Sequence, residues 1–289
     1  MSEAVLPGDI ARRVIDPHAY AEWDGLLDTF DRVRAETPVV KVRPDTPGLF
    51  DPFWLVTRYD DVMRISKDNA AFLNNPRPVV FSFRQAIEFS RAATGSNMLV
   101  DSLVVFDAPI HPKYRKLTQE WFMPRNLAQL GGELRALAAR TVDRMLEQGG
   151  EVDFVKEVSG PYPLRVVMQI LGVPPEDEFR MQMLTQQLFG GQDKDLSGSG
   201  MENMTPEQVV QIVAGAVKTF EDYFAALAED RRRNPTDDVA SVIANALVDG
   251  QPLPPRDMAG YYIIVATAGH DTTSASTAGA MQALANDPE

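Results

Sequence analysis

Two short segments hold the residues whose types and spacing could do chemistry. In the first, Thr267-Ala-Gly-His-Asp-Thr-Thr-Ser-Ala-Ser-Thr277, a carboxylate is followed by five side-chain hydroxyls inside a long, otherwise apolar helical pattern. Local preference and burial conflict there. Glycine weakens a helix by about 1 kcal/mol relative to alanine, and serine and threonine compete for backbone carbonyls and bend helices. Such conflicts are where function is expected. Gly269 would let a planar ligand approach the backbone, and a displaced helix turn would leave a carbonyl free to hold a water. Asp271 and Thr272 could then relay protons to a bound species. The same residues also read as a hydroxyl-rich helix contact in which Ala268 and Gly269 ease close packing.

The second segment is Asp107-Ala-Pro-Ile-His-Pro-Lys-Tyr-Arg-Lys116. Proline is tolerated only in the first turn of a helix, so a helix is expected to start near His111. His111 and Arg115, four apart, then project from one face. An arginine at a helix start suits a carboxylate or phosphate, although both residues could equally be surface groups.

The elements that must position these residues are mostly helices. Trp23, Leu26, Leu27, Phe30 and Val33 recur at helical spacing and Pro38 closes that segment. Val39–Val42 and Phe53–Thr57 read as two short strands of a hairpin, and Asp60-Asp61 opens a short helix before Asn74-Asn75-Pro76-Arg77-Pro78 breaks it. Residues 79–103, with Phe81, Phe83 and Met98, show no clean period and read as a long apolar loop with one helical turn, a common form for a ligand wall. Helices are then expected from Pro112 through Phe122, Leu127 to Gln148, Val158 to Leu171, Glu176 to Leu188, Thr205 to Arg233 and Asp237 to Leu247. Val152–Val155 reads as a lone strand and GGQDKDLSGSG as a flexible link. The last helix, Arg256 to Ala285, would be about 45 Å long at 1.5 Å per residue. The fold class is mainly α, with a small β-hairpin near the N-terminus.

Composition limits the function classes. A net charge of −13 over 289 residues, with no Lys/Arg block, disfavours nucleic acid and anionic membranes as partners. The chain has no cysteine, which excludes disulfides, thiolate metal sites and a cysteine nucleophile supplied by its own residues. The N-terminal sequence does not read as a secretory signal, and the longest apolar stretch, Met258–Gly269, is far short of the roughly 20 residues that span a bilayer. A cytoplasmic location is expected.

Taken together, the two segments resemble the cytochrome P450 family of haem-thiolate monooxygenases. Ala268-Gly269-His270-Asp271-Thr272-Thr273 matches the family's (A/G)Gx(D/E)TT signature, and Asp107, Pro109, His111 and Arg115 match its DxPxHxxxR pattern. Phe122-Met-Pro-Arg, Leu171-Gly-Val-Pro and the closing Asn-Asp-Pro-Glu are similar to the soluble bacterial branch, so the resemblance runs over essentially the whole chain. It implies that haem is the cofactor, that His111 and Arg115 contact its propionates, and that Ala268 and Gly269 lie against its oxygen-binding face. Asp271 and Thr272 would be the acid and alcohol that deliver protons for O–O cleavage. Phe81, Phe83, Met98, Leu188 and Val265 would line the pocket of a small hydrophobic substrate such as a terpenoid. A ferredoxin-type electron donor would dock near Lys113, Arg115, Lys116 and Arg125.

One departure is large. The family's cysteine ligand and its ExxR helix have no counterpart in these residues, and a thiolate is what favours O–O cleavage. The expectation is therefore a single incomplete P450 domain over 1–289, ending just after the long central helix and inactive by itself. His18, His111 and His270 are poor substitutes for the thiolate, so no residue is assigned to the metal. Other readings are a non-catalytic helical binding or scaffold remnant, a metal-dependent phosphohydrolase built on His111, His270 and Asp271, and a terpene-cyclising enzyme built on Asp60-Asp61 or Asp237-Asp238.

Overall fold

The apolar spacing near the N-terminus produces a small helix and hairpin core. The computed structural model describes residues 6–43, 51–75, 84–189 and 204–287. Phe81, Phe83, the proline-rich break at 76–78 and the GGQDKDLSGSG link lie outside them. The chain divides into two compact units, one of residues 1–99, 104–108 and 199–211, the other of 100–103, 109–198 and 212–289.

In the first unit, α1 (Gly8–Ile15) and α2 (Trp23–Glu36) pack beside a hairpin of β1 (Val39–Val42) and β2 (Phe53–Val56). The strands are antiparallel, with Val40 opposite Leu55 and Val42 opposite Phe53. Ile10, Ala11 and Val14 of α1 join Val33, Val40 and Val42 in one buried cluster. α1 has no counterpart in the expected elements; its short apolar face follows a Pro-Gly pair that reads locally as a turn. α3 (Tyr59–Lys67) starts where the paired aspartates indicate. The expected loop at 79–103 instead contains an eleven-residue helix, α4 (Arg84–Thr94). Its inward side is marked by Ile87 and Ser90, both buried, so half of the helical signal is carried by a small polar residue that a search for bulky apolar positions passes over.

The second unit is helical. α5 (Ile110–Arg115) is only six residues, and the chain continues in turns to Phe122 where a longer helix was expected. α6 (Pro124–Glu147), α7 (Pro161–Leu171) and α8 (Glu178–Phe189) follow. The expected strand at 152–155 is absent: Asp153 accepts from the Lys156 backbone N–H at 3.1 Å, and Val155–Ser159 forms a π-helical turn closed by Gly160 N–H on the Val155 carbonyl at 2.9 Å. α9 (Pro206–Arg233) runs as predicted. α10 (Val239–Ala244) is shorter than expected, because Leu247–Val248 and Gln251–Pro252 form a second, two-residue hairpin, β3 and β4. Asp249 (φ 51°) and Gly250 (φ 80°) supply the left-handed turn this hairpin needs.

α11 (Pro255–Asn286) is the axis of this unit. At 1.5 Å per residue its 32 residues span about 48 Å. Its first half is buried from Met258 to Ile263, where Tyr262 stacks on Phe224 with ring centres 5.0 Å apart and donates its hydroxyl to the Ala240 carbonyl at 2.7 Å. Gly260 is required by packing: a β-carbon there would lie 1.8 Å from the Asp101 carbonyl oxygen. The crossing 100–103 segment is also tied by Arg256 Nε to Asp101 at 2.7 Å.

Candidate active site

The two chemistry-bearing segments meet through tyrosines. Tyr261 of α11 donates its hydroxyl to the Tyr114 carbonyl at 3.1 Å and shares a hydrogen bond with Thr118 at 2.9 Å, while the Tyr114 phenol donates to the Asp257 carboxylate. Burial, and then Asp257, push the Tyr114 phenol well above its ordinary range. Burial also raises Tyr261, against the nearby positive charge of Arg115.

This joint fixes which face of α11 is shared with α5. At 3.6 residues per turn, Asp257, Val265, Ala268 and Thr272 all lie within about 40° of Tyr261 around the helix. The face that begins by packing on Tyr114 and Thr118 therefore continues along α11 as a stripe of Val265, Ala268 and Thr272. Val265 is half-buried, whereas Ala268, Gly269, Asp271 and Thr272 are exposed. On α5, His111 is half-buried and Arg115 exposed. Arg115 has no ion pair among the described residues.

The expected opening of the helix at this stretch does not occur. α11 is unbroken through Thr267–Thr277, and the hydroxyls turn back onto it: Thr272 donates to the Ala268 carbonyl, Ser276 to Thr272 and Thr277 to Thr273, each at 2.8 Å. A short hydroxyl can satisfy itself on the preceding turn without displacing it. Gly269 also has a packing role, since a β-carbon there would lie 2.8 Å from the Val167 methyl of α7.

His270 lies about 180° from Tyr261 around the helix, buried against the π-helical turn, and its Nε2 is 3.2 Å from the Gly160 carbonyl. Asp271 falls between this buried side and the exposed stripe, with Oδ1 3.0 Å from His270 Nδ1. Of the other expected pocket residues, Leu188 is half-buried on α8, and Met98 is half-buried in a bend where its carbonyl accepts from Thr94.

Sequence reasoning missed the Tyr114–Tyr261–Thr118 joint and the contacts of His270. The available signal for the first was Gly260-Tyr261-Tyr262, a glycine beside two large polar-tipped aromatics within an apolar helix.

The competing metal readings find little support. Among the described residues no group of three His, Asp or Glu side chains could hold a metal ion. Asp60 and Asp61 occupy the first turn of α3, and Asp238 caps α10 by accepting the Ser241 N–H at 2.7 Å, as helix-start residues do. No helix among the described residues is long and apolar enough to cross a membrane.

An exposed run of small residues on the helix that Tyr114 contacts, with an imidazole and a guanidinium on α5 that form no ion pair among the described residues, suits a planar group bearing carboxylates. The residues present therefore fit one face and one edge of a haem; an axial thiolate is not among them.

Comparison with known proteins identifies the family. No family model matches the chain. It is 36% identical over 289 residues to cytochrome P450-terp of Pseudomonas sp, covering 100% of this chain and 67% of that protein. It is 27% identical to linalool 8-monooxygenase of Pseudomonas putida over 91% of this chain and 61% of that one. The solved structure of CYP108D1 from Novosphingobium aromaticivorans matches with a TM-score of 0.86 and 58% identity, over 99% of this chain and 66% of that chain. The chain belongs to the cytochrome P450 family, whose members use haem. It spans about two thirds or less of the length of these relatives.

Proposed function

We propose that these 289 residues form the oxygen-side portion of a haem monooxygenase that oxidises a small hydrophobic molecule. The observation that carries this reading is the stripe on α11, which puts Ala268 and Thr272 on the same helical face as the Tyr261 contact to α5, the element bearing His111 and Arg115. The relatives named for terpene and linalool oxidation, and a neighbour from Mycobacterium marinum solved in complex with pseudoionone, support a terpenoid substrate.

Haem, when bound, supplies the oxidation chemistry. This chain's residues bind and orient. Arg115 and His111 hold the propionates by charge-assisted hydrogen bonds, which are roughly twice as strong as neutral ones. Ala268 and Gly269 keep the helix surface low, so a planar ligand can lie against it. The Thr272 hydroxyl has its donor committed to Ala268 and keeps its lone pairs outward, and Asp271 supplies the acid beside it. Leu188 and Val265 would line part of the substrate space.

A ferredoxin-type donor fits the basic residues in part. Lys113 is paired with Asp249 and Arg125 with Glu120, each at 2.5 Å, and Arg115 is given to the haem, which leaves Lys116 as the cation of this group without an ion pair among the described residues. A cytoplasmic setting is consistent with that partner.

The thiolate would have to come from residues outside these 289, and for the chain alone the absence of cysteine favours a non-catalytic state. Haem reconstitution followed by reduction and carbon monoxide tests both parts. The chain alone should give no thiolate-type Soret band, and its appearance would overturn the assignment. In a protein completed with a cysteine loop, Arg115→Ala should weaken haem retention about tenfold, the value of one charge-assisted hydrogen bond; unchanged retention would count against the propionate role.

A further inference from the structure

His270 is one of two residues among those described with a buried side-chain polar atom that lacks a hydrogen-bond partner; the other is Ser159. The orphan atom is Nδ1. The ring is 4% exposed, and its two nitrogens face different chemistry.

On one side, Nε2 lies 3.2 Å from the Gly160 carbonyl. A carbonyl oxygen only accepts, so this contact is a hydrogen bond when Nε2 carries a proton. On the other side, Nδ1 lies 3.0 Å from Asp271 Oδ1, within ion-pair distance but outside hydrogen-bond alignment. With Nε2 protonated, a bare Nδ1 would set its lone pair against a carboxylate oxygen, which is repulsive. The contact becomes attractive when a further proton lies between the two atoms. Asp271 is half-exposed and can rotate into line, whereas His270 is held by its burial.

Among the described residues no other charged group pairs with His270. The elements packed on this part of α11 are α7 and the Val155–Ser159 turn, whose charged residues are Lys156, Glu157 and Arg165. Lys156 pairs with Asp153 at 3.5 Å, Arg165 with Glu178 at 3.2 Å, and Glu157 is exposed.

We propose that His270 is a positioning residue for Asp271: a proton held between Nδ1 and Oδ1 keeps the carboxylate turned toward the buried side of α11, and its departure frees the carboxylate to swing toward Thr272. The π-helical turn is part of the device. Gly160 closes that turn through its N–H on Val155 and offers its carbonyl to His270, so one residue links the turn to the ring. π-turns inside or beside α-helices recur at functional sites. The functional weight of this pair rests on the reading of Asp271 as the acid of the oxygen side.

The test needs no haem. Labelling the histidines of the 289-residue chain with nitrogen-15 yields three imidazoles, His18, His111 and His270, and His18→Gln and His111→Gln assign the third by elimination. The expected result is a His270 ring protonated on Nε2 whose Nδ1 resonance is of protonated character in the native chain. In both Asp271→Asn and Asp271→Ala it should move to the lone-pair position. An Nδ1 resonance identical in all three proteins would overturn the proposal, as would a ring carrying its only proton on Nδ1. Because Asp271 is half-exposed, neither of its variants depends on rebuilding the core. Failure here would leave the haem assignment intact, and failure of haem reconstitution would leave this proton-holding pair intact.

Discussion

Tyr261 and Thr118 share a buried hydrogen bond at 2.9 Å, and that bond anchors the turns following α5 to the central helix. Tyr261→Phe removes the donor to the Tyr114 carbonyl and the oxygen that accepts from the Thr118 hydroxyl, which is 2% exposed. A lost bond to a buried polar group costs about 1–3 kcal/mol. Urea denaturation of the variant should show a lower midpoint with an unchanged slope. A midpoint equal to that of the native chain would mean that the joint carries no stability.

The glycines of α11 divide into three environments, and alanine substitution should rank them. At Gly260 the new β-carbon would meet the Asp101 carbonyl at 1.8 Å, and backbone cannot yield cheaply. The cost should exceed about 3 kcal/mol, at the top of the overpacking range. At Gly269 it meets a Val167 methyl at 2.8 Å, so Gly269→Ala should destabilise less, and Val167→Ala in the same chain should restore part of the loss. At Gly279 nothing lies within 4 Å, and alanine should stabilise the helix by about 0.5–1 kcal/mol. Thermal denaturation of the four variants tests the order; a Gly260→Ala chain as stable as Gly279→Ala would contradict the packing described.

The parts of the fold legible in the sequence are those where one residue type dominates a signal. Proline at the first helical positions of α9 and α11, and Gly172 after α7, mark helix ends to within a residue, whereas the expected starts of α6 and α7, Leu127 and Val158, each miss the actual proline by three residues. The short elements escaped because their signals are tertiary. The π-turn at 155–159 depends on Asp153 and Gly160 acting across seven residues, and the 247–252 hairpin on a non-glycine residue, Asp249, accepting a left-handed conformation. At the site, the sequence indicated which side chains mattered but not their state. Thr272 could be singled out by its neighbours, yet whether its hydroxyl opens the helix or closes onto Ala268 is decided by a rotamer.

A second joint ties the ends of three helices. Arg231 donates from Nε to Asp238 at 2.7 Å and from Nη2 to the Gly172 carbonyl at 2.9 Å, with 14% and 9% of the Arg231 and Asp238 side chains exposed. Asp238 also accepts from Thr236 and from the Ser241 N–H. Gly172 has φ 72°, and a β-carbon on it would lie 2.0 Å from the Asp238 carboxylate. Removing one partner of such a pair leaves a charge in a poorly solvated place, at a cost of about 3–5 kcal/mol. Arg231→Leu should therefore lower the denaturation midpoint sharply, and Asp238→Asn less, because the amide oxygen can still cap Ser241. Equal losses in the two variants would show that the charge left on Asp238 costs no more than the one left on Arg231.

Alkaline pH should weaken the fold through its tyrosines. Tyr114, Tyr223, Tyr261 and Tyr262 are all raised above the ordinary phenol value, with burial the largest cause in each and the carboxylates of Asp257 and Asp177 adding to Tyr114 and Tyr223. In the unfolded chain these phenols lose their protons near pH 10. Above that pH the native state holds more protons than the unfolded state, so stability falls as pH rises. The contribution is fully present below about pH 10 and is lost progressively above it. Tyr223, which donates to Asp177 at 2.8 Å, offers the cleanest check: Tyr223→Phe removes one phenol from the difference, so its stability should decline less steeply between pH 10 and pH 11 than that of the native chain, whatever its starting value. Chemical denaturation across that range, read beside phenolate absorbance of the folded protein, measures both quantities. Native phenols that ionise together near pH 10 would remove the physical basis for the effect.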